Sequence, residues 1–189
     1  ARMAIGLEAN VIVIEKSVQR LHELDNRFGR ELETVYATAD AIEEHVLDAD
    51  LVIGGVLIAG AAAPKLVTSD MVSRMKRGAV LVDVAIDQGG CFETSRPTTH
   101  MEPTYTVYGV VHYCVANMPG GVPRNATFAL NNATLSSTLA IADKGWRRAL
   151  TDDVHLRNGL NVHAGRITHP AVAESLGRDY TPAEQALAA

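Results

Sequence analysis

The chain has 189 residues and a formal net charge of −5; 47% of it is apolar and 21% charged. This composition excludes disorder, collagen or a coiled coil as the main description, and the acidic balance argues against a nucleic-acid partner held by phosphate electrostatics. Aromatic residues are only 5%, so a core of Ala, Val, Ile and Leu suits buried parallel strands covered by helices.

Taken in order, residues 1–9 read as the end of a helix. Val11-Ile12-Val13-Ile14 is a β-branched run that reads as a buried strand, with Glu15 at its carboxyl end. Ser17 is placed to cap a helix through Leu21, Leu24 and Phe28, which are spaced by three and four. Residues 34–37 read as a second strand, 40–46 as a short helix and 50–56 as a third strand, with a loop closing at Pro64. Residues 69–75 read as a helix ended by Gly78, 79–85 as a fourth strand and 106–111 as a fifth. Beyond Arg124 the pattern changes. Residues 125–150 are expected to form one long helix carrying Leu130, Leu135, Leu139 and Trp146. A short hairpin over 161–168, a helix over 170–176 and a frayed tail over 182–189 follow.

The β-α-β alternation predicts an α/β fold, a doubly wound parallel sheet with right-handed crossovers. All strand carboxyl ends then lie on one edge, where ligands bind in such sheets. The longest apolar stretch, residues 51–64, contains three glycines and is too short for a membrane span of roughly 18 residues. The first residues lack an apolar core long enough for a signal peptide. Cys91 and Cys114 make no disulfide framework, so a reducing, cytoplasmic location is expected.

Three groups of residues could carry chemistry. A carboxylate such as Glu15 at a strand end can accept the hydroxyl hydrogens of an adenosine ribose, and would favour NAD by repelling a 2′-phosphate. That acid ordinarily follows the glycine loop by about 20 residues, which would put the loop and first strand upstream of residue 1. Glu15 fits equally a surface acid that opens a helix. Asp87, with Gly89 and Gly90 behind it, could orient an amine, relay a proton or simply make a turn. Residues 114–123 could present Asn117 and backbone carbonyls to a ligand, or serve as a linker. The seven histidines show no metal-ligand spacing.

Residues 48–67 (DADLVIGGVLIAGAAAPKLV), 75–100 (MKRGAVLVDVAIDQGGCFETSRPTTH) and 113–134 (YCVANMPGGVPRNATFALNNAT) closely resemble bacterial alanine dehydrogenases. The α subunit of proton-translocating transhydrogenase and the saccharopine-forming enzymes share parts of the pattern. The resemblance spans essentially the whole chain. It implies a Rossmann-like NAD domain lacking its first strand and glycine loop over 1–124, then a connecting helix and part of the substrate domain over 125–189. The implied reaction is reversible oxidation of L-alanine to pyruvate and ammonia with NAD, in a homohexamer that includes an N-terminal half. This chain alone is expected to be inactive; the other reading is a non-catalytic nucleotide-binding fragment or a split transhydrogenase-like subunit.

Residue by residue, the resemblance makes Glu15 the ribose-binding acid and puts Arg20 near the adenosine. Ala37 stands where relatives can have a serine. Val56 and Leu57 would line the cofactor, as would Val84, Ala85, Ile86 and Asp87 on the nicotinamide side. Asp87 resembles the catalytic aspartate and Arg96 a cofactor contact. Val115, Ala116, Asn117 and Met118 would cover the nicotinamide ribose. A Glu and His metal pair of the family would fall on Ala140 and Lys144, neither of which can serve, so no metal is expected.

Overall fold

A short helix, α1 (Arg2–Gly6), precedes the first strand, β1 (Val11–Glu15), in a computed structural model that describes residues 1–56, 58 and 63–188. Helix α2 (Val18–Phe28) begins where Ser17 Oγ accepts the Arg20 N–H at 3.2 Å, which satisfies one of the free donors of a helix start. Its spacing of three and four aligns Leu21, Leu24 and Phe28 on one face, and it returns the chain to β2 (Leu32–Tyr36). The two strands pair in parallel, from Val11 opposite Leu32 to Glu15 opposite Tyr36.

Thr38 caps α3 (Ala39–Asp48) and Thr68 caps α4 (Ser69–Arg74), each through its hydroxyl oxygen. Between them runs β3 (Leu51–Gly54), parallel to β4 (Val80–Asp83). The expected fifth strand over 106–111 is instead a hairpin. Strands β5 (Thr104–Val107) and β6 (Val110–Tyr113) are antiparallel, joined by Tyr108 and Gly109 with φ of 53° and 83°. Two successive positive φ angles make the tight turn whose twist suits a hairpin. β6 pairs in parallel with β4, and β5 covers the outer edge.

Among the described residues the parallel sheet is in two pieces, β1–β2 and β3–β4–β6–β5. β1 and β3 each have one paired side. On the second piece, Val52, Leu81, Asp83, Val110 and His112 share a face because paired residues point the same way. This face carries the core. Val46 of α3, Met71 and Val72 of α4, and Val67, Met75, Ala79, Ala85, Cys91 and Phe92 pack with Leu81 and Val110. The opposite face is open at Leu51 and Ile53, which are 52% and 61% exposed.

The long helix is shorter than expected. α5 (Pro123–Lys144) stops at Gly145, whose φ is 76°, and α6 (Trp146–Asp152) starts anew. None of the residues of α5 is buried, whereas Ala149 and Leu150 of α6 are. Helix α7 (Val154–Asn158) leads to the expected hairpin of β7 (Val162–His163) and β8 (Arg166–Ile167), then to α8 (Pro170–Leu176). The expected frayed tail is helix α9 (Ala183–Ala188), with Ala186 and Leu187 buried and Arg147 Nη1 donating to the Leu187 carbonyl at 2.6 Å. That contact comes from α6, so tertiary packing orders a segment with weak local signals.

Candidate functional site

The carboxyl ends of the parallel strands deliver the candidate residues. At the end of β1, Glu15 Oε1 accepts the N–H groups of Lys16 at 2.7 Å and Ser17 at 2.9 Å. These bonds fix the carboxylate plane, and Oε2 takes no hydrogen bond from the described residues. Ala37 follows β2 and donates its N–H to the Glu15 carbonyl at 3.0 Å, so the two sit side by side. Arg20 is turned to its own helix, in an exposed ion pair with Glu23 at 2.7 Å.

Val56 lies just beyond β3 and is half-buried; Leu57 lies outside the described residues. Gly54, the last residue of β3, must be glycine. A Cβ there would come within 2.2 Å of Cys91 Sγ and 2.6 Å of Phe92 Cζ. Its carbonyl accepts the Val84 N–H at 2.8 Å, which ties the end of β3 to the segment after β4.

That segment is organised by Asp83, a fully buried carboxylate that the sequence analysis did not single out. Oδ1 accepts the Ala85 N–H at 3.1 Å and the Cys91 thiol at 3.5 Å. Oδ2 accepts the Cys91 N–H at 2.9 Å, the Phe92 N–H at 3.4 Å and the Ser95 hydroxyl at 2.5 Å. From outside, Lys65 Nζ donates to the carbonyls of Gly89, Gly90 and Phe92 at 2.6, 2.8 and 3.3 Å. Within the loop so closed, the one-turn helix Ile86–Gln88 buries Ile86 and leaves Asp87 exposed. Val84 is exposed and Ala85 buried. Val84 and Asp87 thus turn side chains to solvent, while the Ala85 N–H and the Ala85 and Ile86 carbonyls are bonded within the loop. Burial first, then the charge of Asp83, pushes the Cys91 thiol up to about 12, so Cys91 is a packing residue and not a nucleophile.

Arg96 lies further along, its guanidinium 4.0 Å above the Tyr105 ring. The Tyr105 hydroxyl donates to the Thr94 carbonyl at 2.9 Å and accepts the Arg96 N–H at 2.8 Å, and burial with Cys114 beside it raises that hydroxyl above its ordinary range. Tyr105 also stacks on the buried His112, with ring centroids 4.9 Å apart. His112 Nδ1 donates to the Val110 carbonyl at 3.0 Å, which leaves Nε2 to accept the Thr94 hydroxyl at 2.7 Å. Burial lowers the pKa of the ring and so favours the neutral form in which Nε2 accepts.

The third group follows β6. Val115 is buried and pairs with Thr98, while Ala116 and Asn117 are exposed and Met118 half-buried. Asn117 has φ 53°, and its carbonyl accepts from His100 Nε2 at 3.1 Å. His100, also missed from sequence, thereby joins the Arg96 segment to the Asn117 turn. The signal for Asp83 lay in its phase: it stands two residues beyond Leu81, on the buried face of an apolar strand, where an acid needs partners. His100 and Tyr105 gave no such signal.

Parallel strands alternating with helices, with loops beyond their carboxyl ends and an acid closing the strand before α2, define the Rossmann-like α/β class. Within it the chain belongs to the alanine dehydrogenase/PNT, C-terminal domain family, whose model matches residues 1–170. It is 63% identical to the alanine dehydrogenase of Halomonas elongata over 183 residues, 97% of this chain and 49% of that protein. It is 53% identical to that of Mycolicibacterium smegmatis over 188 residues, 100% of this chain and 51% of the relative. A solved L-alanine dehydrogenase matches with a TM-score of 0.82 at 49% identity, over 93% of this chain and 48% of its own. The transhydrogenase of Sinorhizobium meliloti matches with a TM-score of 0.56 at 26% identity, over 64% of this chain and 35% of its own. The chain spans about half the length of the curated relatives it matches.

Proposed function

We propose that this chain carries the NAD-binding part of an enzyme that oxidises L-alanine reversibly to pyruvate and ammonia, and that it works together with the N-terminal half its relatives possess. The observation that carries the reading is the loop closed by Asp83 and Lys65, which presents one exposed carboxylate, Asp87, at the carboxyl edge of the sheet. Family membership and the relatives' names support the choice of substrate. The residues fit NAD: Glu15 has a fixed carboxylate with one oxygen that takes no hydrogen bond from the described residues, and Ala116 and Asn117 are exposed just beyond β6.

In this reading Glu15 orients the adenosine ribose, with Arg20 and Ala37 beside it. Val56, Leu57, Val84, Ala85 and Ile86 line the nicotinamide side, Arg96 contacts the cofactor, and residues 115–118 cover the second ribose. NAD, when bound, would supply an acceptor for the hydride that the oxidation removes from the alanine Cα. The Asp87 carboxylate holds or accepts protons as the resulting imine is hydrated and ammonia leaves. The division between domains falls near residue 124. A strand from the N-terminal half occupies the free sides of β1 and β3, and the exposed apolar residues of α5 are covered in a homohexamer. No helix among the described residues is long and apolar enough to cross a membrane, and a cytoplasmic location belongs to the same reading.

The test is NADH binding, followed by fluorescence, alongside L-alanine-dependent reduction of NAD. The full-length enzyme should show both, and the 189-residue chain no turnover. A full-length enzyme that binds NADH but leaves L-alanine unoxidised would overturn the substrate. Turnover by the chain alone would overturn the need for an N-terminal half.

A further inference from the structure

We propose that Asp83 is a positioning residue for the reaction: its buried carboxylate gathers the two ends of the 84–92 loop and so fixes where Asp87 stands. The inference rests on the role given to Asp87 above.

The geometry is specific to the loop. One oxygen of Asp83 holds the Ala85 N–H, just before the turn that bears Asp87; the other holds the Cys91 and Phe92 N–H groups, just after it. The Cys91 thiol on Oδ1 at 3.5 Å and the Ser95 hydroxyl on Oδ2 at 2.5 Å complete the set, and the latter extends it toward the segment of Arg96. Gly90 makes room, since a Cβ there would lie 2.6 Å from Asp83 Oδ2 and its φ is 74°. All the groups that face the carboxylate are donors, so an amide in its place would set an N–H₂ against N–H groups or leave them unpaired.

Burying a charge with five donors is a poor way to stabilise a core, because an apolar side chain of similar volume does as well or better. Leu81, two residues earlier on the same face, shows that the surroundings suit one. What the carboxylate supplies and an apolar residue cannot is a fixed path for the backbone on both sides of Asp87. A misplacement of about 1 Å in a reacting group can cost on the order of a hundredfold in rate.

The experiment uses the full-length enzyme with Asp83→Asn, Ser95→Ala and Asp87→Asn. It reads kcat against pH and the NADH dissociation constant. Asp87→Asn should lower kcat by about a hundredfold or more and remove one limb of the pH profile. Asp83→Asn should lower kcat by about tenfold or more and displace that limb, while NADH affinity stays within about threefold. Ser95→Ala should act in the same direction by a smaller factor, and decides the matter if Asp83→Asn does not fold. Full turnover in Asp87→Asn would sink the role of Asp87 itself. Loss in Asp87→Asn with kcat and the limb unmoved in Asp83→Asn and Ser95→Ala would overturn the positioning role alone. Parallel loss of NADH affinity and kcat with an unmoved limb would also overturn it, since that is what a general loosening of the fold produces.

Discussion

Glu15 and Gly54 show how one residue's chemistry can be separated from another's space. Glu15 uses Oε1 on its own turn and keeps Oε2 for a partner. Glu15→Gln in the full-length enzyme should weaken NADH binding at least about tenfold, the scale of one charge-assisted hydrogen bond. It should also reduce the preference over NADPH, and a fluorescence titration of both nucleotides reads the two effects. Gly54→Ala puts a methyl group where Cys91 and Phe92 already lie. It should cost about 1–3 kcal/mol of stability, read as a lower urea midpoint. The positions of Glu15, at the end of β1, and of Asp87, shortly after β4, were legible because apolar runs mark the carboxyl ends of strands. Asp83 was not, because its meaning lies in the five donors that converge on it from residues 85 to 95.

At the scale of elements, strand β6 and its neighbour β5 enclose His112, whose ionisation connects packing to pH. Burial lowers the pKa of the ring from the ordinary 6.5, with the Val110 carbonyl and Asp83 opposing in part. The unfolded chain therefore takes up a proton before the folded one does. The stabilisation is complete above about pH 6.5 and is lost as pH falls below it toward the folded value. Urea midpoints of the full-length enzyme should decline over that interval, and His112→Gln should flatten the decline. Asp153 is a separate case: its carboxyl is held below the usual 3.8 by the N–H groups of Leu156 and His155 at the start of α7, so its contribution disappears in more acidic solution. The hairpin that holds His112 was missed because residues 106–111 read as one β-branched run. Tyrosine at a positive φ is an unusual turn residue, and only Gly109 hinted at the bend. The break at Gly145 was missed for a similar reason, since apolar residues continue at helical spacing across it.

For the whole molecule, the parallel α/β architecture was legible from the order and length of the elements. The lack of a first strand followed from the resemblance, and among the described residues β1 and β3 share no neighbouring strand. Around that gap, Leu51 and Ile53 present apolar side chains to water, and α5 does the same with Phe128, Leu130, Leu135 and Leu139. Exposed apolar faces and free strand edges favour association. The 189-residue chain produced alone should therefore self-associate or melt over a broad range. Sedimentation velocity and thermal circular dichroism check this, and a monomer with one sharp transition would contradict it. What no local pattern announced was the order of α9, which depends on Arg147 reaching across from α6.

Gly90 has a consequence for how this sequence can change over time. Its φ of 74° and the 2.6 Å between a built Cβ and Asp83 Oδ2 both require hydrogen as the side chain. Every missense change reachable from a glycine codon by one base introduces a Cβ. No first step away from Gly90 is therefore neutral, and a compensating change at Asp83 would release the backbone donors it now holds. The two positions form a locked pair, closed to stepwise drift, and random mutagenesis followed by selection for the folded protein should return position 90 unchanged.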